Sequence, residues 1–419
     1  MKKKFCFAVA ATAIASFSTI ADDSINFHAY GMVAGNFEQD LGKPKNLALH
    51  MDPTGPNQDP RGKMGELGNN YWHDYFVSLA INKRWDDTVD PGQWADFTYE
   101  VVGYGDKGVE TAQMYVQFGG LDFMPQDTKL WAGRRYTGER IGILAYNIRE
   151  VNVDSGVGYL GKNVDITIGY NQIDWSSENA IEAAEGSRNL LDVAYRLGNY
   201  EFGGTYVHEL DDPIRNNPRD AFSVFGKYTF GSYFGLLDGQ SVIEAQAGRG
   251  VIAQYLNTNR ISALSEEKDI SMRLSMFGTV YDYRGLSIES ALIYEYTDRD
   301  EDANRMTYIR DTGYGGIGEY GSATETGIFA AVNVKQPLTN NISLHYEAVV
   351  NNTTNKDGRD GATGTMYKLA FGPAIQLKAT RWAAPVTDIT VSYVGGEQEL
   401  TNLDTKSEWV FGYRAQIWF

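Results

Sequence analysis

Few side chains in this 419-residue sequence stand at spacings that could do chemistry. Gly316-Ile317-Gly318-Glu319-Tyr320-Gly321 matches the G-x-G-x-x-G that cradles a dinucleotide, but that fingerprint needs a strand before it and a helix after it. Here it lies in a Gly/Tyr-rich stretch, 313–321, followed by strand-like sequence, which reads as a flexible loop. Asp298, Asp300 and Asp302 alternate like the opening of a calcium loop. Ala303 stands where such a loop needs glycine, and Arg299 and Arg305 compete for the carboxylates. The five histidines, His28, His50, His73, His208 and His345, show no H-x-x-x-H spacing for a metal. No G-x-S-x-G elbow is present, and nothing local supports a triad built on His28 or His73-Asp74. No catalytic residue, no metal and no cofactor is therefore expected. The remaining candidates are aromatic and charged residues, whose meaning depends on the elements that carry them.

The N-terminus decides the compartment. Lys2, Lys3 and Lys4 precede an apolar run from Phe5 to Ile20, and Thr19-Ile20-Ala21 fits a signal-peptidase site. Residues 1–21 are expected to be a signal peptide, leaving 22–419 as one domain. Cys6 falls inside the signal, so the mature chain holds no cysteine and no disulfide or thiolate site. The formal charge of -17 becomes -20 once the three lysines are gone, which excludes nucleic acid as a partner. A Lys-rich export signal points to the envelope of a bacterium.

After Ala21 the chain repeats short alternating segments separated by Gly/Asn/Asp turns. In 163–171, Val164, Ile166, Ile168 and Tyr170 share one face, while Asp165, Thr167, Gly169 and Asn171 share the other. The same two-residue period runs through 286–296 and 342–350, and near 75–82, 97–104, 191–197, 222–230, 270–276, 366–371 and 387–393. A soluble sandwich would bury the apolar faces against each other. A membrane barrel turns them toward lipid. Aromatics gathered at strand ends, such as Tyr99 and Tyr104, Tyr200 and Tyr206, Phe222 and Phe230, Tyr281 and Tyr283, favour the barrel, because they form girdles at the two interfaces. The 27 tyrosines agree, since each buried hydroxyl in a soluble core needs a partner. At roughly 20–25 residues per strand and its share of loop, the mature chain makes about 16–20 antiparallel strands, wide enough for a water-filled channel.

Alternation also assigns the lumen. On the last strand Trp409, Phe411, Tyr413, Ala415, Ile417 and Phe419 share the apolar face, and Val410, Gly412, Arg414, Gln416 and Trp418 face inward. On the first, Asn26, His28, Tyr30 and Met32 face inward. Aromatics in a polar lumen suit a sugar, whose C–H faces pack on rings while its hydroxyls take polar neighbours. Girdle or packing roles are the alternative.

These ends resemble the maltoporin family of sugar-specific porins. INFHAYG (25–31) is similar to its opening D-F-H-G-Y, and EWVFGYRAQIWF (408–419) to its closing strand. ELGNN (66–70), KLWAGRRY (129–136), DSGVG (154–158) and WAAP (382–385) follow family signatures in order. The resemblance implies an 18-stranded outer-membrane barrel of a Gram-negative bacterium, a homotrimer, and a constriction made by an inward-folded loop. It also implies a slide of aromatics for oligosaccharides, on which Tyr30, Trp382 and Trp418 match family positions. Phe76 is the best substitute for a further slide residue, since alternation turns it inward with Trp72, Asp74 and Ser78 and turns Tyr75 outward.

The sequence departs from the family where the family lines its constriction with arginines: Met32, Glu66 and Glu139 stand there. The family's His/Asp-rich constriction run is replaced by ERIGILAYNIREVNVD (139–154), which is expected to keep that loop's place. Arg134, Arg135, Glu139, Arg140 and Glu150 are the candidate polar contacts near it. The second external loop, 104–113, is short and carries no Trp to lend a neighbouring subunit. The reading is a passive, non-enzymatic channel for oligosaccharides, maltodextrin-type or other. A general diffusion porin for small hydrophilic solutes and ions is the alternative, and an outer-membrane enzyme and a closed structural barrel are further rivals. Acidic residues at the constriction predict mild cation preference; reversal potentials in a salt gradient that favour anions would contradict it.

Overall fold

Strand-forming alternation accounts for almost every element of the computed structural model. It describes residues 25–37, 65, 67, 75–86, 92–104, 107–141, 146–174, 185–211, 219–252, 267–298, 304–309, 313–319, 324–356, 364–377, 386–396 and 406–418. The strands are β1 (Ile25–Phe37), β2 (Tyr75–Asp86), β3 (Trp94–Tyr104), β4 (Lys107–Gly119), β5 (Lys129–Ile141), β6 (Tyr146–Leu160) and β7 (Val164–Asp174). They continue with β8 (Glu185–Leu197), β9 (Tyr200–Asp211), β10 (Asp220–Phe230), β11 (Gly239–Arg249), β12 (Ile270–Tyr283) and β13 (Leu286–Asp298). A short hairpin, β14 (Asn304–Ile309) and β15 (Gly313–Glu319), precedes β16 (Thr324–Pro337), β17 (Ile342–Lys356), β18 (Gly364–Gln376), β19 (Val386–Gly396) and β20 (Ser407–Trp418).

Eighteen of these strands form one closed antiparallel sheet, and β14–β15 forms a separate two-stranded one. Each barrel strand pairs with its sequence neighbours, except that β13 skips the hairpin to pair with β16. β20 returns to β1 in a register running from Tyr30↔Trp418 to Phe37↔Phe411. Closure leaves the barrel no free edge, the condition lipid imposes on backbone polar groups. Connections alternate in length around the ring. The two residues after β8 and the two after β12 are tight turns, while 38–74, 250–269 and 299–323 are long connections at the other end.

The two faces sort as the period-2 pattern requires. Leu191, Val193 and Tyr195 are exposed on the outside, while Arg188, Leu190, Asp192 and Ala194 are buried on the lumen side of the same strand. Tyr367, Leu369 and Phe371 alternate in the same way with Met366, Lys368 and Ala370. At the short-turn end Tyr200 and Tyr228 lie 4.7 Å apart, centroid to centroid, and Tyr228 and Phe230 4.6 Å. They form part of an outward aromatic girdle.

The constriction segment keeps its expected place inside the barrel, as paired strand. β5 and β6 run on as a hairpin paired out to Ile141↔Tyr146, but β5 pairs with β4 only as far as Arg134 and β6 with β7 only from Ser155. The part beyond leaves the wall: Val151 and Val153 are buried with Leu190, Val207 and Ala221 on the inner side of β8 to β10. The segment has β-branched and aromatic residues where the family has a His/Asp-rich run, so its local preference is for strand. One expectation is corrected. The 313–321 stretch is not a flexible loop, since Gly313–Glu319 is β15 and pairs with β14. No helix follows it among the described residues, so it lacks the context of a nucleotide fingerprint. The signal peptide lies outside the described residues.

Ile168 is exposed between Val157 and Leu191, all on the outer face. Ile168→Arg should cost about 2–4 kcal/mol of barrel stability in lipid, while Thr167→Asn on the lumen side should be tolerated. Reversible unfolding in vesicles checks this, and equal stability of the two variants would contradict the assignment of faces.

Candidate functional site: the barrel interior

The closing seam assembles three of the four aromatics singled out from the sequence. Tyr30 of β1 stands directly across from Trp418 of β20. On its other side β1 pairs with β2, where Met32 lies opposite Phe76 and Tyr30 opposite Ser78. Tyr30, Phe76 and Trp418 therefore share the lumen face of three consecutive strands. The Tyr30 and Phe76 rings are 5.5 Å apart and tilted by 56°. The Tyr30 hydroxyl donates to Gln416 Oε1 at 3.0 Å, which satisfies its polar end and leaves the ring face as an apolar platform. Trp382 lies between β18 and β19, outside the described residues.

Polar groups flank this platform. Ser78 Oγ and Gln113 Nε2 donate to the two oxygens of Glu100 at 2.5 and 2.7 Å. Asn82 Nδ2 donates to Asp96 Oδ1 at 2.5 Å and to Thr98 Oγ1 at 3.1 Å. On the other side Arg414 Nε donates to Asp388 Oδ2 at 2.8 Å.

The polar candidates from the sequence separate by face. Arg135 points into the lumen, where its guanidinium lies 5.1 Å from the ring centroids of both Tyr115 and Trp131. Arg134 points outward, because consecutive residues of a strand take opposite faces. It shares the outer face with Met114, its register partner, and pairs with Asp154 at 3.5 Å. Glu150 is buried and accepts a hydrogen bond from the Tyr136 hydroxyl. Val151 and Arg149 on either side of it pack on the inner wall of β8 to β10, so Glu150 lies on the face of the hairpin turned from that wall. Arg134 is removed from the polar track, and Glu150 stays in it. Glu139 and Arg140 are strand residues of β5, in register with Arg149 and Asn147.

Sequence reasoning missed a cleft of about 460 Å³ in the lumen wall of β5 to β10. Trp131, Arg135, Arg149, Asp165, Asp192 and Arg196 line it, together with Glu201 and Lys227. Arg149 Nη2 donates to Asp192 Oδ1 at 2.5 Å and its guanidinium lies 4.2 Å from the Phe225 ring. Thr205 Oγ1 donates to the second Asp192 oxygen at 2.5 Å. Arg196 bridges Asp165 and Glu201, and Lys227 Nζ reaches Glu201 at 3.2 Å. The indole of Trp131 lies 2.1 Å from where a Cβ of residue 158 would stand, so Gly158 is required there. The signal was available: Trp131 and Arg135, four residues apart, must share a strand face. The carboxylates of this wall are matched by cations, so it adds little to cation preference.

Removing Arg149 would leave the Asp192 carboxylate with Thr205 as its remaining side-chain donor. Arg149→Met should cost about 1–3 kcal/mol of stability, and adding Asp192→Asn should recover part of it. Denaturant midpoints in detergent test this, and an Arg149→Met barrel of unchanged midpoint would show that the pair contributes nothing.

The comparisons now bear on this interior. The LamB porin profile matches residues 53–419. No curated protein matches the sequence. Among solved structures, the outer membrane protein OprD from Pseudomonas aeruginosa is similar at 9% identity, over 94% of this chain and 93% of that one, with a TM-score of 0.48. OmpF from Salmonella typhi, solved with daunomycin, shares 10% identity over 94% and 97%, with a TM-score of 0.42. The anion-selective porin from Comamonas acidovorans shares 8% over 94% and 99%, with a TM-score of 0.39. With the profile spanning most of the sequence and the closed 18-stranded barrel in place, the chain belongs to the LamB porin family, the maltoporin family of outer-membrane diffusion channels.

Proposed function

We propose that this channel carries oligosaccharides, and that Tyr30, Phe76 and Trp418 are the surface along which they move. The observation that supports this reading most is the contiguity of the three rings on the lumen face at the β20–β1–β2 seam. A general diffusion pore gains nothing from apolar rings in its water path. A pyranose gains from each, because its C–H face covers the ring while its hydroxyls exchange water for Gln416, Ser78, Glu100 and Gln113. Several weak sites in a row let a ligand enter and leave, which transport requires. Trp382 is the fourth expected member of the track, from the resemblance alone. Arg135 supplies a lumen cation beside Tyr115 and Trp131, while Glu139 and Arg140 stay as candidates from the sequence. No residue is assigned a bond-breaking role, and the assembly the resemblance implies is a homotrimer.

Single-channel recording in a planar bilayer, titrated with maltodextrins and then with other oligosaccharides, tests the proposal. Saturable, reversible current block is expected, and the best blocker identifies the sugar class. Trp418→Ala and Tyr30→Ala should each weaken block by about 1–3 kcal/mol, the scale of stacking a ring on an aromatic side chain, while ionic conductance stays equal or rises. Open channels that no sugar blocks would instead establish general diffusion.

A further inference from the structure

The connection between β10 and β11, residues 231–238 (GSYFGLLD), folds back over the outside of the barrel. It belongs to the short-turn end, which in such barrels faces the periplasm. Tyr233 reaches across β11 and β12. Its hydroxyl lies 2.7 Å from Ser290 Oγ of β13, and a Cβ added to Gly278 of β12 would stand 3.1 Å from its Cδ2. Ser241, Gly278 and Ser290 are register neighbours on β11, β12 and β13. Alternation puts them on the outer face, with Met272, Leu274, Leu292 and Tyr294. Along β12 that face is open at Met272, 52% exposed, and dry at Val280, 2% exposed. The turn is what covers it.

The turn is held in one shape. Ser241 Oγ donates to Ser232 O and accepts from Phe234 N, both at 2.8 Å. Tyr233 N donates to Leu237 O and Leu236 N to Tyr233 O, both at 2.9 Å. Phe234 has φ +47°, a left-handed value that a bulky residue keeps only where its surroundings enforce it. What this fixed turn presents is apolar. Leu236 is 79% exposed, Leu237 beside it is exposed as well, and the one charge of the turn is Asp238 at its end. The outward girdle leads straight into it. Tyr200, Tyr228 and Phe230 are in ring contact, Phe234 lies 5.9 Å from Phe230, and Tyr233 lies 4.9 Å from Phe234.

We infer that the 231–238 turn is a membrane anchor: it lies in the headgroup boundary of the periplasmic leaflet, with the rings of Tyr233 and Phe234 at the interface and Leu236 and Leu237 entering the acyl region. Aromatic girdles mark headgroup level, and the turn continues this one without a break. A second copy of the chain seated here would interrupt the row of rings, so lipid is the occupant. Burying the two leucines in lipid is favourable, whereas a turn standing in water would gain nothing from them. The same fold withdraws the hydroxyls of Ser241 and Ser290 from hydrocarbon, because the turn supplies their partners.

Residues 22–419 contain no cysteine, so single-cysteine chains report one site each. Leu236→Cys is labelled with an environment-sensitive nitrobenzoxadiazole dye and folded into phosphatidylcholine vesicles. Ile168→Cys serves as the lipid-facing reference and Thr167→Cys as the lumen reference. Heat-modifiable gel mobility identifies folded barrels, and Leu237→Cys decides the matter if Leu236→Cys does not fold. Lipids carrying a nitroxide near the headgroup should quench position 236 at least as strongly as position 168. Iodide on both sides of the bilayer should quench position 236 less than position 167. A label that these lipids do not quench would overturn the inference: iodide access would then put the turn in water, and exclusion of both quenchers would put it against a second copy.

Discussion

Closure of the sheet is the constraint on which the rest depends. In hydrocarbon no water replaces a missing backbone partner, so β1 and β20, at opposite ends of the sequence, must find each other. Their register then does more than seal an edge. Setting Tyr30 opposite Trp418 brings two rings from opposite chain ends to one height of the lumen, and the next pairing sets Phe76 diagonally beside them. A slip of one residue would turn each of these rings toward lipid. The aromatic track is therefore a consequence of the same register that makes the barrel insertable.

The interior meets a second constraint, that charge be compensated. Glu209 with Arg219, Glu295 with Arg273 and Asp388 with Arg414 are matched between neighbours around the ring, and Arg149 of β6 reaches over β7 to Asp192 of β8. Such pairs tie strand to strand from inside and leave the wall rich in donors and acceptors without a large net field. A surface of that kind exchanges hydroxyl contacts readily and holds no single ion tightly. This suits passage of neutral, hydroxylated solutes better than selection of one charge.

Much of this was legible in the sequence because alternation is a local property. The faces of 163–171, the inward Tyr30 and Trp418, and the turn of Phe76 into the lumen all follow from period 2. Arg134 was misplaced because family position was followed where alternation beside Arg135 decided the face. The inward place of the 139–154 segment was legible from the family resemblance, and its Ile, Val and Tyr content favoured strand over irregular loop. Which stretch of wall the hairpin meets was not legible at all: Arg149 finds Asp192 43 positions on, two strands away around the ring.

A track of weak sites needs a pore narrow enough that a sugar cannot bypass the rings, since a wide lumen would let it diffuse past in water. Rings alone cannot narrow a barrel of eighteen strands, whose width is set by strand number. Chain held inside the barrel can, provided it does not move with each passing solute. The β5–β6 hairpin meets that condition, because Val151 and Val153 are buried with Leu190, Val207 and Ala221 and Arg149 is tied to Asp192 at 2.5 Å. Register supplies the surface on which a sugar slides, and the packed hairpin supplies the confinement that keeps it there.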